Sequence, residues 1–375
     1  MRVLVVNAGS SSLKVRLLSD DNKVIDKLDL GQWSGHDETE ELQAFLDRLP
    51  TDDRPPGTPC FDVIGHRIVH GGAEFTKPVL IDRRVRARIA ALTELAPLHQ
   101  PRGVAGIDAL SRLLPDVPAV ACFDTAFHAS IPDETATYAL PHEWNRRWGL
   151  RRYGFHGLSH SYVSRRAAEI LGQPIEMLRM VSCHLGAGAS LAAVEAGRSV
   201  DTTMGFTPLA GLVMATRTGS LDPGLVLWLQ MHSGISADKL SYVLEHESGL
   251  KGLSGGSGDM REILRDIDDD PRARLAFEVY VHRLRREIAA MTASMGGLDV
   301  LVFTGGVGEH SAPVRAAAAE GLHYFGVDLD PVANDAASGD AEISAPDALV
   351  RTVVVTAREE VEIANGARSA IDQAP

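Results

Sequence analysis

The sequence predicts an α/β fold built as two related domains facing each other across a cleft, and three observations carry that expectation. A strand–turn–strand motif occurs twice: Val3–Val6 runs into Asn7-Ala8-Gly9-Ser10-Ser11-Ser12 and continues as Leu13–Leu18, and about 177 residues later Met180–Cys183 runs into His184-Leu185-Gly186-Ala187-Gly188-Ala189-Ser190 and returns as Leu191–Val194. Short apolar runs recur along the chain with helix-patterned stretches between them, the alternation that α/β proteins show. The chain has 375 residues, too many for one ordinary core, so two domains are the default. Glycine- and serine-rich turns present backbone N–H groups and hydroxyls suited to phosphate oxygens, so a phosphate-handling enzyme is the first expectation.

The strands are expected around Val3–Val6, Val63–Ile64, Val117–Phe123, Met180–Cys183, Val300–Phe303 and Val353–Val355. Helices are expected over Arg83–Glu94, Tyr162–Leu171 and Ala273–Met295, where apolar residues keep a period near 3.6. A last helix over Glu359–Asp372 is expected to pack back on the first domain. Thr51–Pro59 and Asp266–Pro271 read as loops, from their prolines and acids. The domain division expected is 1–150, joined by the C-terminal helix at 359–375, and 151–358.

Composition narrows the functions. Apolar content of 45% and charged content of 23% are those of a globular protein, and a formal net charge of −13 disfavours nucleic acid and anionic membrane as partners. Cys60, Cys122 and Cys183 fit neither a zinc site nor a disulfide framework. Cys122 and Cys183 sit in apolar runs and read as buried thiols, which fits a reducing cytoplasm. No apolar run approaches bilayer-spanning length, and the N-terminus opens on a strand with no signal-peptide pattern.

Several segments are dense in polar residues. In Gly65-His66-Arg67-Ile68-Val69-His70-Gly71-Gly72, Arg67 either reaches into a cleft or decorates a hairpin surface. Asp124 ends the apolar run Ala121-Cys122-Phe123, where open α/β sheets collect ligands, or else it caps a helix. His156 lies between glycines in Tyr153-Gly154-Phe155-His156-Gly157, presented outward or stabilising the turn. Arg217 sits among small residues in the long stretch from Asp201 to Pro223. Glycine-rich loops follow at Leu250–Arg261, expected to open a helix, and at Phe303–His310, expected to lead from strand to helix and to aim N–H groups at an anion. No GxxxxGK[ST] occurs, and the first turn lacks GxGxxG. Glu359 and Glu360 follow the last strand, where the helix dipole alone favours acids.

Taken in order, NAGSSSLK at 7–14, GHRIVHGG at 65–72, FDTAFH at 123–128, YGFHG at 153–157, HLGAGAS at 184–190, DTTMGFTPLAGLVMATRTGSLDP at 201–223 and FTGGVGEH at 303–310 resemble the acetate kinase family. The resemblance covers almost the whole chain. It implies two duplicated RNase H-like domains of the actin, Hsp70 and sugar-kinase type around a central cleft. It further implies reversible transfer of the ATP γ-phosphoryl group to a short carboxylate, giving an acyl phosphate and ADP in the cytoplasm, by a homodimer. By the same resemblance, Asn7 and Glu359 help hold Mg²⁺, with Mn²⁺ as a substitute. Arg67, Asp124, His156 and Arg217 are catalytic. Val69, Leu98, Phe155 and Pro208 form the small acyl pocket beside Arg67. Lys14, His184, Leu185, Gly186, Ala187, Gly188, Asp259, Met260, Arg261, Gly305, Gly306, Val307, Gly308 and Glu309 bind the nucleotide. The chain departs from the family's usual pattern at Gln100, His310 and Ala357-Arg358, where asparagine, asparagine and Thr-Asn or Thr-Asp are common.

The physical problem such a reaction poses is charge. A carboxylate is ionised at neutral pH and needs no strong base, but like charges ~4 Å apart repel by roughly 4 kcal/mol at an effective dielectric of 20. Arginines answer that repulsion with a planar fork that fits carboxylate and phosphoryl oxygens. On this reading Asp124 orients an arginine or a metal-bound water, and His156 donates to the transferring group. Acetate is expected as substrate, with propionate or butyrate as the alternative. A non-catalytic ATP-binding module is the reading from another class.

Overall fold

The computed structural model describes residues 1–9, 12–31, 39–50, 58–97 and 99–373. The chain divides into two compact units: Met1–Ala129 with Gly157–Tyr162 and Arg358–Pro375, and Ser130–His156 with Val163–Ala357.

Each unit carries, among the described residues, a six-stranded mixed sheet. In the first, β1 (Val3–Ala8), β2 (Leu13–Leu18), β3 (Val24–Leu30), β4 (Val63–Ile68), β5 (Val79–Leu80) and β6 (Ala119–Phe123) lie in the order β3-β2-β1-β4-β6-β5. In the second, β7 (Arg179–Leu185), β8 (Ala189–Glu195), β9 (Arg198–Thr202), β10 (Val300–Thr304), β11 (Ala341–Glu342) and β12 (Arg351–Val354) lie in the order β11-β12-β10-β7-β8-β9. The two sheets have one topology. An antiparallel meander leads each, two parallel strands follow, and a two-residue antiparallel strand closes the edge. Even the register slip recurs, after the fifth residue of β2 and of β8. This is the duplication that the repeated motif predicts.

The first sheet is covered on both faces, so β1 and β6 read as near-continuous apolar runs. Leu4, Val6, Leu13, Val15 and Ile64 pack against Phe45 and Leu110. Val3, Val5, Val63, Val120 and Cys122 pack against Ile363, Ala364 and Ala367 of the C-terminal helix Glu359–Asp372. Gly65 permits that approach: a Cβ there would lie 2.8 Å from Ile363 Cγ2. The edge strands β3, β5, β9 and β11 escape the apolar-run expectation because they are polar or only two residues long.

Three local expectations are corrected. The break expected at residue 150 falls inside the second unit, within its first segment Ser130–His156. Polar bonds tie that stretch to the second sheet and its following loop. Ser130 Oγ donates to the Ser199 carbonyl, Arg152 Nη1 to the carbonyls of Thr202, Thr203 and Met204, and Phe206 N to Tyr138 Oη. The segment Leu250–Arg261 is not all loop. A helix spans Gly249–Ser254, closed by Gly255 at φ 68°, before the next helix starts at Met260. After β10 there is no intervening loop, since the glycines Gly305 and Gly306 are themselves the first turn of the helix Gly305–His310. Most of the loop expected over Thr51–Pro59 lies outside the described residues.

His66 sits on β4 opposite in facing to Arg67, since alternate strand residues face alternate sides. It is buried, and its Nε2 has no hydrogen-bond partner among the described residues. Burial pulls its imidazole down from 6.5 to about 3. The native state therefore keeps His66 neutral where the unfolded chain binds a proton. Stability falls as pH drops from about 6.5 towards about 3. Urea midpoints measured at about pH 7 and about pH 5 should differ less in His66→Gln than in the parent chain. An equal loss in both would remove His66 as the cause.

Candidate functional site

In the first unit, four expected site residues meet at the carboxyl edge of the sheet. Arg67 Nε donates to Asp124 Oδ1 at 2.9 Å and Nη2 to Asp124 Oδ2 at 2.7 Å, a two-pronged pair between the ends of β4 and β6. Arg67 Nη1 donates to Asn7 Oδ1 at 3.0 Å, and Asn7 Nδ2 donates to Glu359 Oε2 at 2.9 Å. Glu359 Oε2 lies 3.5 Å from Arg67 Nη1. Burial opposes the charge on Arg67, but the Asp124 and Glu359 carboxylates overcome it and hold its affinity for the proton above the ordinary arginine value. Asp124 thus has both carboxylate oxygens bonded to Arg67. Its carbonyl also receives Gly157 N at 2.9 Å, and a Cβ on Gly157 would lie 2.1 Å from that oxygen, so glycine is required there.

Asn7 Oδ1 and the Glu359 carboxylate are hard oxygens of the kind that Mg²⁺ takes beside waters and phosphates; here Asn7 turns Nδ2 to Glu359 and Oδ1 to Arg67. Lys14 lies opposite Asn7 in the β1–β2 pairing, with its side chain exposed. Val69 is buried. Leu98 lies outside the described residues, as do Ser10 and Ser11 of the first turn. A cavity of about 220 Å³ in this unit, lined by Pro78, Cys122, Phe123, Phe127, Leu158 and Glu362 among others, touches none of the expected site residues.

In the second unit a different group converges. His184 is the last residue but one of β7 and pairs in register with Ser190 on β8. The His156 ring stacks on His184 with centroids 4.4 Å apart, and its Nδ1 lies 2.9 Å from Ser190 Oγ. His156 holds φ 56°, the left-handed region that few non-glycine residues adopt, at the start of the helix Gly157–Leu171. Between the hairpin strands, Gly186 N bonds the Gly188 carbonyl at 2.9 Å, while Ala187 is exposed and Leu185 buried. A Cβ on Gly188 would meet His156 Nε2 at 3.4 Å and Arg217 Nη1 at 3.5 Å, so the glycine lets both side chains reach one point.

Arg217 is half-buried, donating from Nη1 to the Pro208 carbonyl at 3.3 Å. Burial pulls its guanidinium below the ordinary arginine value, with the Glu245 carboxylate pulling the other way. Among the described residues no carboxylate is bonded to it. Phe155 is fully buried, and Met260 is core as well. Asp259 caps its helix through Arg261 N and pairs with the exposed Arg261 side chain. The Gly305–Glu309 turn is tightly held. Glu309 Oε1 accepts from Gly305 N and Ala357 N, each at 3.0 Å, and the buried Arg315 donates to the carbonyls of Gly308 and Glu309. Gly306 is exposed and Val307 partly so. Arg315 and Ser190 are the polar residues that sequence reading passed over. An arginine inside the alanine-rich run Ala312–Glu320 was the available signal for the first.

A sheet repeated in one topology, with these glycine turns and arginines, is that of a phosphotransferase. The chain belongs to the acetokinase family, whose model matches residues 26–365. It is 45% identical to the acetate kinase of Microcystis aeruginosa over 97% of this chain and 98% of that protein. The solved structure of Porphyromonas gingivalis acetate kinase superposes with a TM-score of 0.89 at 37% identity, covering 99% of each chain. A propionate kinase from Francisella tularensis subsp. tularensis SCHU S4 superposes with a TM-score of 0.88 at 34% identity, over 98% of this chain and 99% of that one.

Breaking a buried ion pair by removing one partner strands the other charge. Asp124→Ala should lower the free energy of unfolding by about 3–5 kcal/mol, read by urea denaturation. A loss within ~0.5 kcal/mol, typical of surface changes, would show that Arg67 does not depend on Asp124.

Proposed function

We propose that the chain is an acetate kinase that moves the γ-phosphoryl group of ATP onto acetate, giving acetyl phosphate and ADP, and runs in both directions. The observation that carries this reading is Arg217: a half-buried guanidinium, pulled below its ordinary value by burial, with no bonded carboxylate among the described residues. A desolvated cation of that kind is stabilised by an incoming anion. His156, reaching the same point across Gly188, adds a ring N–H for a phosphoryl oxygen.

In the proposed step a carboxylate oxygen of acetate attacks the γ-phosphorus in line. The new P–O bond forms as the bond from phosphorus to the β,γ-bridging oxygen breaks, and ADP leaves with the electron pair. No proton has to be removed from the nucleophile. Arg217 and His156 stabilise charge on the transferring group, and Arg67, locked by Asp124, presents a guanidinium edge of fixed orientation to the carboxylate. Asn7 and Glu359 would hold Mg²⁺, which supplies charge neutralisation at the phosphates when bound. The glycine turns of Gly186–Gly188 and Gly305–Gly308, with Lys14, His184 and the Asp259–Arg261 segment, would bind nucleotide. Val69, Phe155 and Pro208 would border the acyl group.

Two further elements belong to the proposal. The free thiols of Cys60, Cys122 and Cys183 support work in the reducing cytoplasm; no helix among the described residues is long and apolar enough to cross a membrane. A homodimer is supported by the helix Pro223–His232. It is apolar nearly all round yet buries none of its residues, leaving Leu225, Leu227, Trp228 and Met231 exposed. A helix of that character is covered in a stable assembly, and an uncharged face is best matched by its own copy.

An ADP-release assay with Mg²⁺, ATP and a panel of acetate, propionate and butyrate should give acetate the highest kcat/KM. Preference for propionate by more than the ~10–200-fold that one methylene controls would make the chain a propionate kinase. ATP turnover equal with and without carboxylate would favour a binding module. Arg217→Leu should cut kcat by about 10²–10³, the cost of losing one charge-stabilising donor, with the circular dichroism spectrum unchanged. Light scattering should give twice the chain mass, and Trp228→Glu with Met231→Glu should halve it; a parent chain that is already monomeric would remove the dimer.

A further inference from the structure

The hairpins β1–β2 and β7–β8 are topological copies, so their residues correspond by register. The pair nearest the turn is Ala8–Leu13 in one and Leu185–Ala189 in the other. One step back, Asn7–Lys14 corresponds to His184–Ser190. Ser190 therefore stands in the second unit where the first has an exposed lysine, yet Ser190 is fully buried. A buried hydroxyl at 2.9 Å from a ring nitrogen is engaged with that ring.

We infer that Ser190 donates its O–H to His156 Nδ1 and so keeps the proton of the neutral imidazole on Nε2, making His156 an uncharged donor towards the transferring phosphoryl group. The inference rests on the proposed reaction for its purpose, but not for its geometry. A neutral imidazole has one N–H and one acceptor nitrogen, and the bond made by one nitrogen decides the state of the other. His156 Nε2 is the atom that, with Arg217 Nη1, borders the space over Gly188. Were Nδ1 to carry the proton, Nε2 would offer a lone pair to anionic oxygen and repel it. His184 stacks on the His156 ring, and Arg217 Nη1 comes to the same point over Gly188 as His156 Nε2. Arg217 already brings positive charge to that point, so the donor that complements it is a neutral N–H. The His184 stack fixes the ring plane, and Ser190 fixes its direction. Ser190 is thus a positioning residue, acting through His156.

The test combines Ser190→Ala, Ser190→Thr and two readouts on the full chain. In ¹⁵N-histidine NMR of the parent, His156 should show the Nε2–H tautomer, and Ser190→Ala should shift it towards Nδ1–H; a parent carrying Nδ1–H overturns the inference whatever the activity. In the acetate-dependent assay, Ser190→Ala should lose about 10-fold in kcat with KM for acetate changed by less than about 3-fold. Ser190→Thr, which keeps the hydroxyl, should recover most of the loss. An alanine variant that keeps the parent tautomer, or a threonine variant as poor as alanine, would reduce Ser190 to packing. If the parent has the Nε2–H tautomer but no acetate-dependent turnover, the proposed function fails and the tautomer assignment stands.

Discussion

One guanidinium organises the first unit. Arg67 joins the ends of two parallel strands by its pair with Asp124, reaches β1 through Asn7, and lies against Glu359 from the far end of the chain. Four elements separated by up to 352 residues in sequence are fixed by these bonds. The rest of the edge is shaped to permit this. Gly65 lets the C-terminal helix descend until Glu359 comes level with Asn7, and Gly157 lets its own helix dock on the Asp124 carbonyl. A pair this buried adds little net stability, because desolvation offsets most of the attraction. Its effect is geometric: with one partner fixed, the others have a single arrangement that leaves no charge stranded.

The second sheet has the same topology, but other residues stand at the corresponding edge. Its hairpin carries His184 and Ser190 in place of Asn7 and Lys14, and its parallel strand β10 ends in Thr304 and the glycines instead of an arginine. Its arginine comes from elsewhere, out of the long loop after β9, and among the described residues no carboxylate is bonded to it. Duplication thus produced two equal scaffolds whose charges are answered differently. One unit answers its arginine internally; the other leaves an arginine desolvated, in contact with a backbone carbonyl and little else of opposite sign.

How much of this was legible follows from the range of each interaction. The duplication was legible because strand, turn and strand are local, and both copies carry them in one continuous stretch. So was the C-terminal helix, whose buried Val361, Ile363, Ala364 and Ala367 keep helical spacing. That Arg67 points inward was left open by sequence, since an arginine after a strand is as often exposed; the deciding partners lie 57 and 60 residues away. The break at 150 failed for the same reason: Arg152 and Tyr138 bind to backbone around Thr202–Phe206, which no local pattern reveals. Ser190 was visible as part of a motif, but its role depends on a histidine 34 residues earlier held in a left-handed conformation.

The difference between the two arginines bears on how the proposed reaction handles charge. Bringing a carboxylate to a triphosphate is opposed by repulsion of several kcal/mol at contact distance. A fully paired arginine such as Arg67 cannot cancel that alone, because its own field is already balanced by Asp124 and Glu359. What it can do is hold direction: a guanidinium locked by its neighbours presents the same edge in every encounter, so no ordering is left to be done when the anion arrives. Arg217 has the complementary property. Half-buried and, among the described residues, with no carboxylate bonded to it, it gains most when negative charge gathers near Nη1, which on the proposed reading is where charge is greatest in the transition state. An enzyme that stabilises the transition state over the ground state needs that second kind of arginine more than the first. The fold supplies the first kind from a strand of one sheet and the second from the loop that follows β9 of the other.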